Sequence, residues 1–252
     1  MKRIYLNRND WLIEKDNVKI RGETYHYLKN VLRMKPNDIF AGFDGSGKEY
    51  LIEVSKMVKG IIYGKIIKAE KKFDIETPFD ICLFQAVPKG KKMEQIVEGT
   101  AQLGVKKIYP VISKRVIVNI EDKKKKEKKI ERWKKVCQQA SKVSGRVIVP
   151  DVVSFMNFND AIKIQKDIGI VFWEGESRIL RDIIVEENIK IIENKKIHIF
   201  IGPEGGFDEE EISLAKKNNF LISSLGKRIL KVEIASIVAT AIVIYEFEQI
   251  LK

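Results

Sequence analysis

Two cysteines, Cys82 and Cys137, and two histidines, His26 and His198, are all that the 252 residues contain. They are too few and too scattered for a zinc cage or a disulfide framework, so no metal is expected and both thiols should be reduced and buried. Long hydrophobic runs are missing as well, since no apolar stretch reaches the length of a bilayer span. The start, MKRIYLNRND, lacks the apolar core of a signal peptide, which leaves a cytoplasmic protein without a membrane partner as the expectation. What is present is ample: 44% apolar and 33% charged residues exclude bulk disorder and collagen-like repeats. The length suits one or two domains with a full core.

The formal charge of +12 is unevenly spread. Residues 1–72 carry 16 basic and 9 acidic side chains, 121–135 carry 9 and 4, and 136–252 carry 15 and 17. A basic front with a neutral back is the footprint of a polyanion-binding protein. The lysine run Lys123, Lys124, Lys125 and Lys126 fits phosphate binding, although such a run is also an ordinary solvated helix face.

Two textures divide the chain at 72. Residues 1–72 read as short strands with turn chemistry at Lys35-Pro36-Asn37-Asp38 and Asp44-Gly45-Ser46-Gly47, the pattern of a small β-barrel. One helical segment is expected inside it, with Tyr27, Leu28, Val31 and Leu32 on one face. Residues 73–252 alternate strands and helices, an α/β order that favours a parallel sheet with ligands beyond the strand carboxyl ends. Expected strands are FDICLFQAV, KIYPVIS, VIVPDVV, IGIVFW, KIHIFIG and FLISS. Helices are expected over Met93–Leu103, around Ile130, Trp133, Cys137 and Ala140, in NFNDAIKIQKD and ESRILRDIIVEE, and from Val232 to Leu251, the last apolar almost all round.

Three turns invite a functional reading. Gly42 to Glu49 nearly spells a nucleotide P-loop, but Glu49 stands where Ser or Thr would hold magnesium and a strand follows, so it reads as a hairpin turn. Ile201-Gly202-Pro203-Glu204-Gly205-Gly206-Phe207 follows a buried strand and precedes Asp208 to Glu211, an acid-rich helix start. Its glycines let backbone approach a ligand closely, while five acids within eight residues favour a cationic or zwitterionic ligand; tight packing alone would also produce such a turn. A second turn, Ser224 to Glu233, follows the next strand and puts Arg228 and Lys231 at the rim of the same crevice, as catalytic cations or as plain surface charges. His26, a lone histidine, serves structure as readily as chemistry.

Together these segments resemble the RsmE family of SPOUT-class methyltransferases. MKRIY and His26 to Arg33 look like that family's N-terminal RNA-binding signature, VEGTAQLGVKKIYP like its "ELGV…P" stretch, and IGPEGGF and SLGKRILKVEIA like its two most specific cofactor loops. Departures are Gln102 for Glu, Lys142-Val143 for Glu-Gln, Lys231 for Arg and Ile234 for Thr.

The resemblance implies a PUA-like β-barrel RNA-binding domain over 1–72 and, over 73–252, a SPOUT α/β domain with a trefoil knot, acting as a homodimer. It also implies that S-adenosyl-L-methionine methylates N3 of a uridine in 16S ribosomal RNA, on the small ribosomal subunit. The cofactor would meet Phe172, Trp173, Glu174, Ile201, Gly202, Glu204, Gly206, Leu225, Gly226, Ile229 and Leu230. Arg228, Lys231 and Glu233 would be catalytic, the proton acceptor being left open among Glu204, Glu233 and hydroxide or water, and Arg3, His26, Arg33, Arg115, Lys123, Lys124, Lys125 and Arg146 would hold RNA. Two other classes share part of the pattern: a ribose 2′-O-methyltransferase of the same class, and a non-catalytic ribosome-assembly factor with a basic front and no cofactor affinity.

Overall fold

A computed structural model describes residues 1–117, 122–190 and 195–251, and the backbone falls into two units. The first comprises Met1–Glu76 together with Ser141–Val149, the second Thr77–Ala140 with Pro150 onward.

In the first unit, β1 (Lys2–Tyr5), β2 (Trp11–Glu14), β3 (Asn17–Ile20), β4 (Ile39–Phe43), β5 (Lys48–Val58) and β6 (Ile61–Lys71) form one sheet in the order β1-β4-β5-β6-β3-β2. Alternation decides which face is dry: Tyr50, Ile52 and Val54 of β5 turn inward onto Ile4, Val18, Ile20, Phe40 and Ile62. Asp44 to Gly47 joins β4 to β5 as a hairpin, and the strand that follows removes the P-loop reading. The expected helical segment is α1 (Gly22–His26) running into a π-helical turn over Tyr27–Val31. That wider turn breaks the 3.6-residue spacing, so Leu28 is buried while Val31 is 64% exposed, contrary to the shared face expected of them.

The second unit is built on β7 (Asp80–Ala86), α2 (Lys92–Leu103), β8 (Lys107–Ile112), α3 (Lys123–Ser144, whose end from Ser141 belongs to the first unit), β9 (Asp151–Val152), β10 (Met156–Asn157), α4 (Phe158–Ala161), β11 (Ile168–Phe172), α5 (Leu180–Glu186), β12 (Lys196–Ile201), α6 (Glu209–Lys217), β13 (Leu221–Ser223) and α7 (Val232–Ile250). Its strands pair in parallel in the order β10-β8-β7-β12-β11-β13, with β9 also on β8. Phe84 of β7 lies in register with Tyr109 of β8 and Phe200 of β12, and its ring stacks on both, at 4.3 and 4.4 Å between centroids. Each such pair adds about 0.5–1.5 kcal/mol beyond the area it buries.

Two expected elements shrink. Only Asp151–Val152 of VIVPDVV is strand, because Val147 and Ile148 instead give their N–H groups to the Glu76 carboxylate. The helix expected in NFNDAIKIQKD lasts one turn, α4. α7 is less uniformly covered than its composition suggests: Val232, Ser236, Ala239, Val243 and Phe247 form a buried stripe, while Ile234 and Tyr245 are exposed. Both cysteines are buried and neither is in a disulfide, and burial pushes the Cys82 thiol up to about 11. Among the described residues no helix is long and apolar enough to cross a membrane, and no cluster of His, Cys, Asp and Glu could hold a metal ion.

Candidate functional site

The carboxyl ends of β7, β12, β11 and β13 open onto one set of loops. β12 and β13 are successive in sequence, but β11 lies between them in the sheet, so the two glycine turns flank the loop that follows Phe172 and are not immediate neighbours.

The turn after β12 folds back on itself. Gly206 has φ of +69°, its N–H donates to the Pro203 carbonyl at 2.9 Å, and a Cβ on Gly202 would lie 3.1 Å from the Gly206 carbonyl carbon. A side chain at Gly202 would press on the Gly206 backbone, and one at Gly206 would be strained by the left-handed φ and would displace the Glu174 carboxylate. Beneath it, Gln85 is fully buried at the end of β7, with Nε2 donating to Ala86 O at 2.9 Å and lying 3.4 Å from Gly202 O. Its Oε1 accepts from the Ser236 hydroxyl at 2.6 Å, tying the start of α7 to the turn.

After β11, Phe172 is buried and Trp173 half-buried, with the Trp173 N–H bonded to Ser223 O at 2.9 Å. Glu174 reaches the neighbouring turn: a Cβ on Gly206 would collide with its carboxylate. Glu176 accepts the N–H groups of Ser177 and Arg178. Burial opposes its charge, yet these bonds and the Arg178 cation hold its carboxyl below the usual range.

The turn after β13 is the open side. Ser224 and Leu225 sit close to the sheet, whereas Gly226, Lys227, Arg228 and Ile229 are exposed; Ile229 is 85% exposed. Gly226, at φ of +99°, has nothing within 4 Å of where a Cβ would stand. Leu230 is half-buried and Lys231 is the exposed N-cap of α7.

Four of the five acids around the first turn, Glu204, Asp208, Glu210 and Glu211, have partners of their own, which offsets much of their charge. Glu204 accepts from Lys92 Nζ at 2.8 Å and from the Lys89 N–H at 3.0 Å. Burial works against the Glu204 charge, but the Lys92 hydrogen bond and the backbone donors outweigh it and hold the carboxyl below its usual range. Asp208 caps α6, and Glu211 completes the capping box while also accepting the Lys114 N–H. Lys114 pairs with Glu210 and Asp208, and Arg115 Nη1 donates to Gly205 O at 2.9 Å. Glu233 differs: its Oε2 is buried and accepts no hydrogen bond among the described residues, while the Lys92 pKa is raised chiefly by the Glu204 hydrogen bond and least by the Glu233 charge.

The residues expected to hold RNA fall into three groups. His26, Arg33, Lys123, Lys124 and Lys125 are exposed. Arg115 sits on the Gly205 turn, among the expected cofactor residues. Arg146 and Arg3 have partners inside the first unit. Arg146 is 2% exposed and forks onto Glu76 at 2.7 and 2.9 Å. Arg3 pairs with Glu49 at 2.6 Å, donates to the carbonyls of Ser141 and Arg146, and lies 3.9 Å over the Phe43 ring.

Sequence reasoning missed Gln85, Lys89, Lys92 and Ser236. Gln85 carried a signal, being the one polar side chain inside an otherwise apolar strand, and a buried amide needs partners. The lysines carried none that separated them from 45 other basic residues.

Comparison with known proteins decides the family. The RNA methyltransferase domain family matches residues 75–244, and the RNA methyltransferase PUA domain family matches residues 20–72. Ribosomal RNA small subunit methyltransferase E of Buchnera aphidicola (subsp. Acyrthosiphon pisum) is 31% identical over 86% of this chain and 83% of its own. The chain belongs to the RsmE family. The family's member from Bacillus subtilis is 28% identical across 98% of both chains. A crystal structure of the family's member from Neisseria gonorrhoeae, bound to S-adenosyl methionine, superposes with a TM-score of 0.82 at 30% identity over 96% of each chain. The first unit is accordingly PUA-like, and the whole an α/β methyltransferase fold.

Proposed function

We propose that this chain transfers a methyl group from S-adenosyl-L-methionine to N3 of a uridine in 16S ribosomal RNA, on the small ribosomal subunit in the cytoplasm. The observation that carries the reading is the folded-back Gly202–Gly206 turn, closed against Glu174, with an open, apolar-tipped turn at Gly226 and Ile229 on the other side of the loop that follows β11. Those residues suit the cofactor: polar backbone and a carboxylate on one side, exposed apolar surface on the other, and room where a side chain would stand. Backbone groups of Gly202, Gly206, Leu225, Gly226 and Leu230 would hold adenosine, with Phe172, Trp173, Glu174, Ile201 and Ile229 around it.

The bound cofactor supplies a sulfonium methyl group for in-line displacement. Uracil N3 has no available lone pair until its proton leaves, so this chain must favour the uracil anion and take that proton. Arg228 and Lys231, exposed on the open turn, supply positive charge for a uracil carbonyl oxygen, which lowers the N3 pKa. Glu204 is a poor acceptor, because Lys92 and the Lys89 N–H already hold its charge. Glu233, with Oε2 free of any partner, is the proton acceptor in this reading.

Residues 1–72 serve as the RNA-binding domain, with His26, Arg33 and the α3 lysines meeting phosphate, and residues 73–252 as a trefoil-knotted SPOUT domain. A homodimer is supported by Val185, Ile234 and Tyr245, which remain exposed on α5 and α7.

The test joins calorimetry with nucleoside mapping of small subunits from an unmethylated strain. Wild type should bind S-adenosylhomocysteine and yield 3-methyluridine. Gly206→Trp, folded by circular dichroism, should lose binding, and Glu233→Gln should keep binding yet slow transfer at least about 100-fold. A ribose-methylated product would move the chain to the 2′-O class, and absent cofactor binding would leave only an assembly factor.

A further inference from the structure

The ion pair between Lys92 and Glu204 stands where three parts of the second unit meet. β7 and β12 are neighbours in the sheet, so the loop that leads from β7 into α2 lies against the turn that follows β12. Glu204 of that turn accepts both the Lys89 N–H, at 3.0 Å, and Lys92 Nζ, at 2.8 Å. α7 closes the third side. A Cβ on Gly99 of α2 would stand 2.6 Å from Cδ1 of Ile237, so the two helices approach closely, and the Ser236 hydroxyl ties the start of α7 to Gln85 at the end of β7. The first turns of α2 and α7 thereby come together. The Glu204 hydrogen bond raises the Lys92 pKa most, and the Glu233 charge, the least of the causes, still reaches it across that gap.

An ion pair between partly exposed groups contributes little to stability. What this one fixes is the place of the ammonium. Of its three N–H bonds Glu204 takes one, and the other two have no acceptor among the described residues. Glu233, the proton acceptor of the proposed reaction, likewise keeps Oε2 without a hydrogen bond among the described residues. Spare donors near a spare carboxylate oxygen complement one edge of uracil, where the N3–H donor lies between two carbonyl acceptors. Once the N3 proton has gone, the negative charge spreads onto both carbonyl oxygens, so a cation at either one lowers the cost of the anion.

We propose that Lys92, held in place by Glu204, donates a hydrogen bond to a carbonyl oxygen of the target uracil and stabilises the ring once N3 has lost its proton. Lys92 is then a catalytic residue and Glu204 a positioning residue. The proton passes from N3 to Glu233, the freed electron pair forms the bond to the methyl carbon, and the carbon–sulfur bond breaks with its pair left on sulfur. Arg228 or Lys231 remains for the second carbonyl. The proposal rests on the reading that the chain methylates uracil N3, and adds the loop after β7 to the parts that perform the chemistry.

Single-turnover rates decide it, measured with the full chain on small subunits assembled from 16S RNA transcribed with uridine or with 5-fluorouridine, whose N3 is the more acidic. Calorimetry with S-adenosylhomocysteine runs on the same samples. Lys92→Met should bind it as wild type does yet transfer about 100-fold more slowly to uridine. The loss should shrink to about tenfold or less on 5-fluorouridine, which needs less help to ionise, and the variant's rate should go on rising with pH where the wild-type rate has levelled off. Lys92→Arg should keep most of the rate. Glu204→Gln should cost less than Lys92→Met, and nothing further when added to it, because Glu204 acts through Lys92. A wild-type rate in Lys92→Met would overturn the proposal. So would an equal loss on both RNAs, or lost cofactor binding in that variant, either of which would leave the ion pair as a clamp between loops. A wild-type chain that binds no S-adenosylhomocysteine, or methylates no base, would strike at the methyltransferase reading and take the proposal with it.

Discussion

His198 shows what a single buried titratable ring does to a fold. It is 2% exposed, its ring centroid lies 4.7 Å from that of Phe84, and its Nδ1 has no hydrogen-bond partner among the described residues. Burial, then the nearby Lys166 and Lys196, push its pKa from 6.5 down to about 4. The folded state therefore holds the ring neutral where the unfolded chain would protonate it. Stability from this residue is complete above pH 6.5 and is lost as pH falls toward 4. Between about pH 7 and 5 the loss should be about 2 kcal/mol, read from urea midpoints, and His198→Phe should remove most of it. An identical acid loss in that variant would assign the effect to carboxylates. At this scale the sequence was readable for chemistry but not for environment. The glycines of IGPEGGF announced a turn, yet nothing local revealed that Arg146 would be buried against Glu76, seventy residues away, or that the acids following Gly206 would find partners along α6 and at Lys114.

At the scale of elements, periodicity served well where one face is dry and the other wet. The stripe Trp133, Cys137 and Ala140 on α3 is buried as its spacing required, and Asp208 caps α6. It failed where geometry departs from the regular period, as in the π-helical turn at Val31, and where pairing is long-range, as with β11 between β12 and β13. Strand order is set by pairings that no local window contains. α5 and α7 raise a different question, because Arg181 and Glu246 join them at 3.1 Å while Val185 and Tyr245 stay exposed, at 73% and 56%. Covered by a second copy, these side chains would be dry. Light scattering should give a dimer mass for wild type and a monomer mass for Val185→Lys combined with Tyr245→Lys. A monomeric wild type would dispose of the homodimer.

For the whole molecule the governing quantity is charge. Lys123 to Lys126 form the exposed or half-exposed start of α3. If they meet phosphate, their replacement by Gln should flatten the dependence of log affinity on log salt by about 0.7–0.9 for each phosphate they had neutralised, with the fold unchanged. An unaltered slope would make them a solvated helix face. The basic front and neutral back were visible in composition alone, since net charge needs no structure. The α/β order was visible too, because buried parallel strands are continuous apolar runs.

The division of the chain into 1–76 with 141–149, and the remainder, has a topological corollary. The polypeptide departs from the first unit, re-enters it and departs again, so no single scission yields both halves intact. A fragment ending at Glu76 would strand the Glu76 carboxylate without the Arg146 guanidinium and leave Arg3 without its carbonyl acceptors. The brief return over 141–149 acts as a splice. Anyone wishing to graft the front unit onto another enzyme would have to carry that splice along, either as a tethered peptide or by circular permutation.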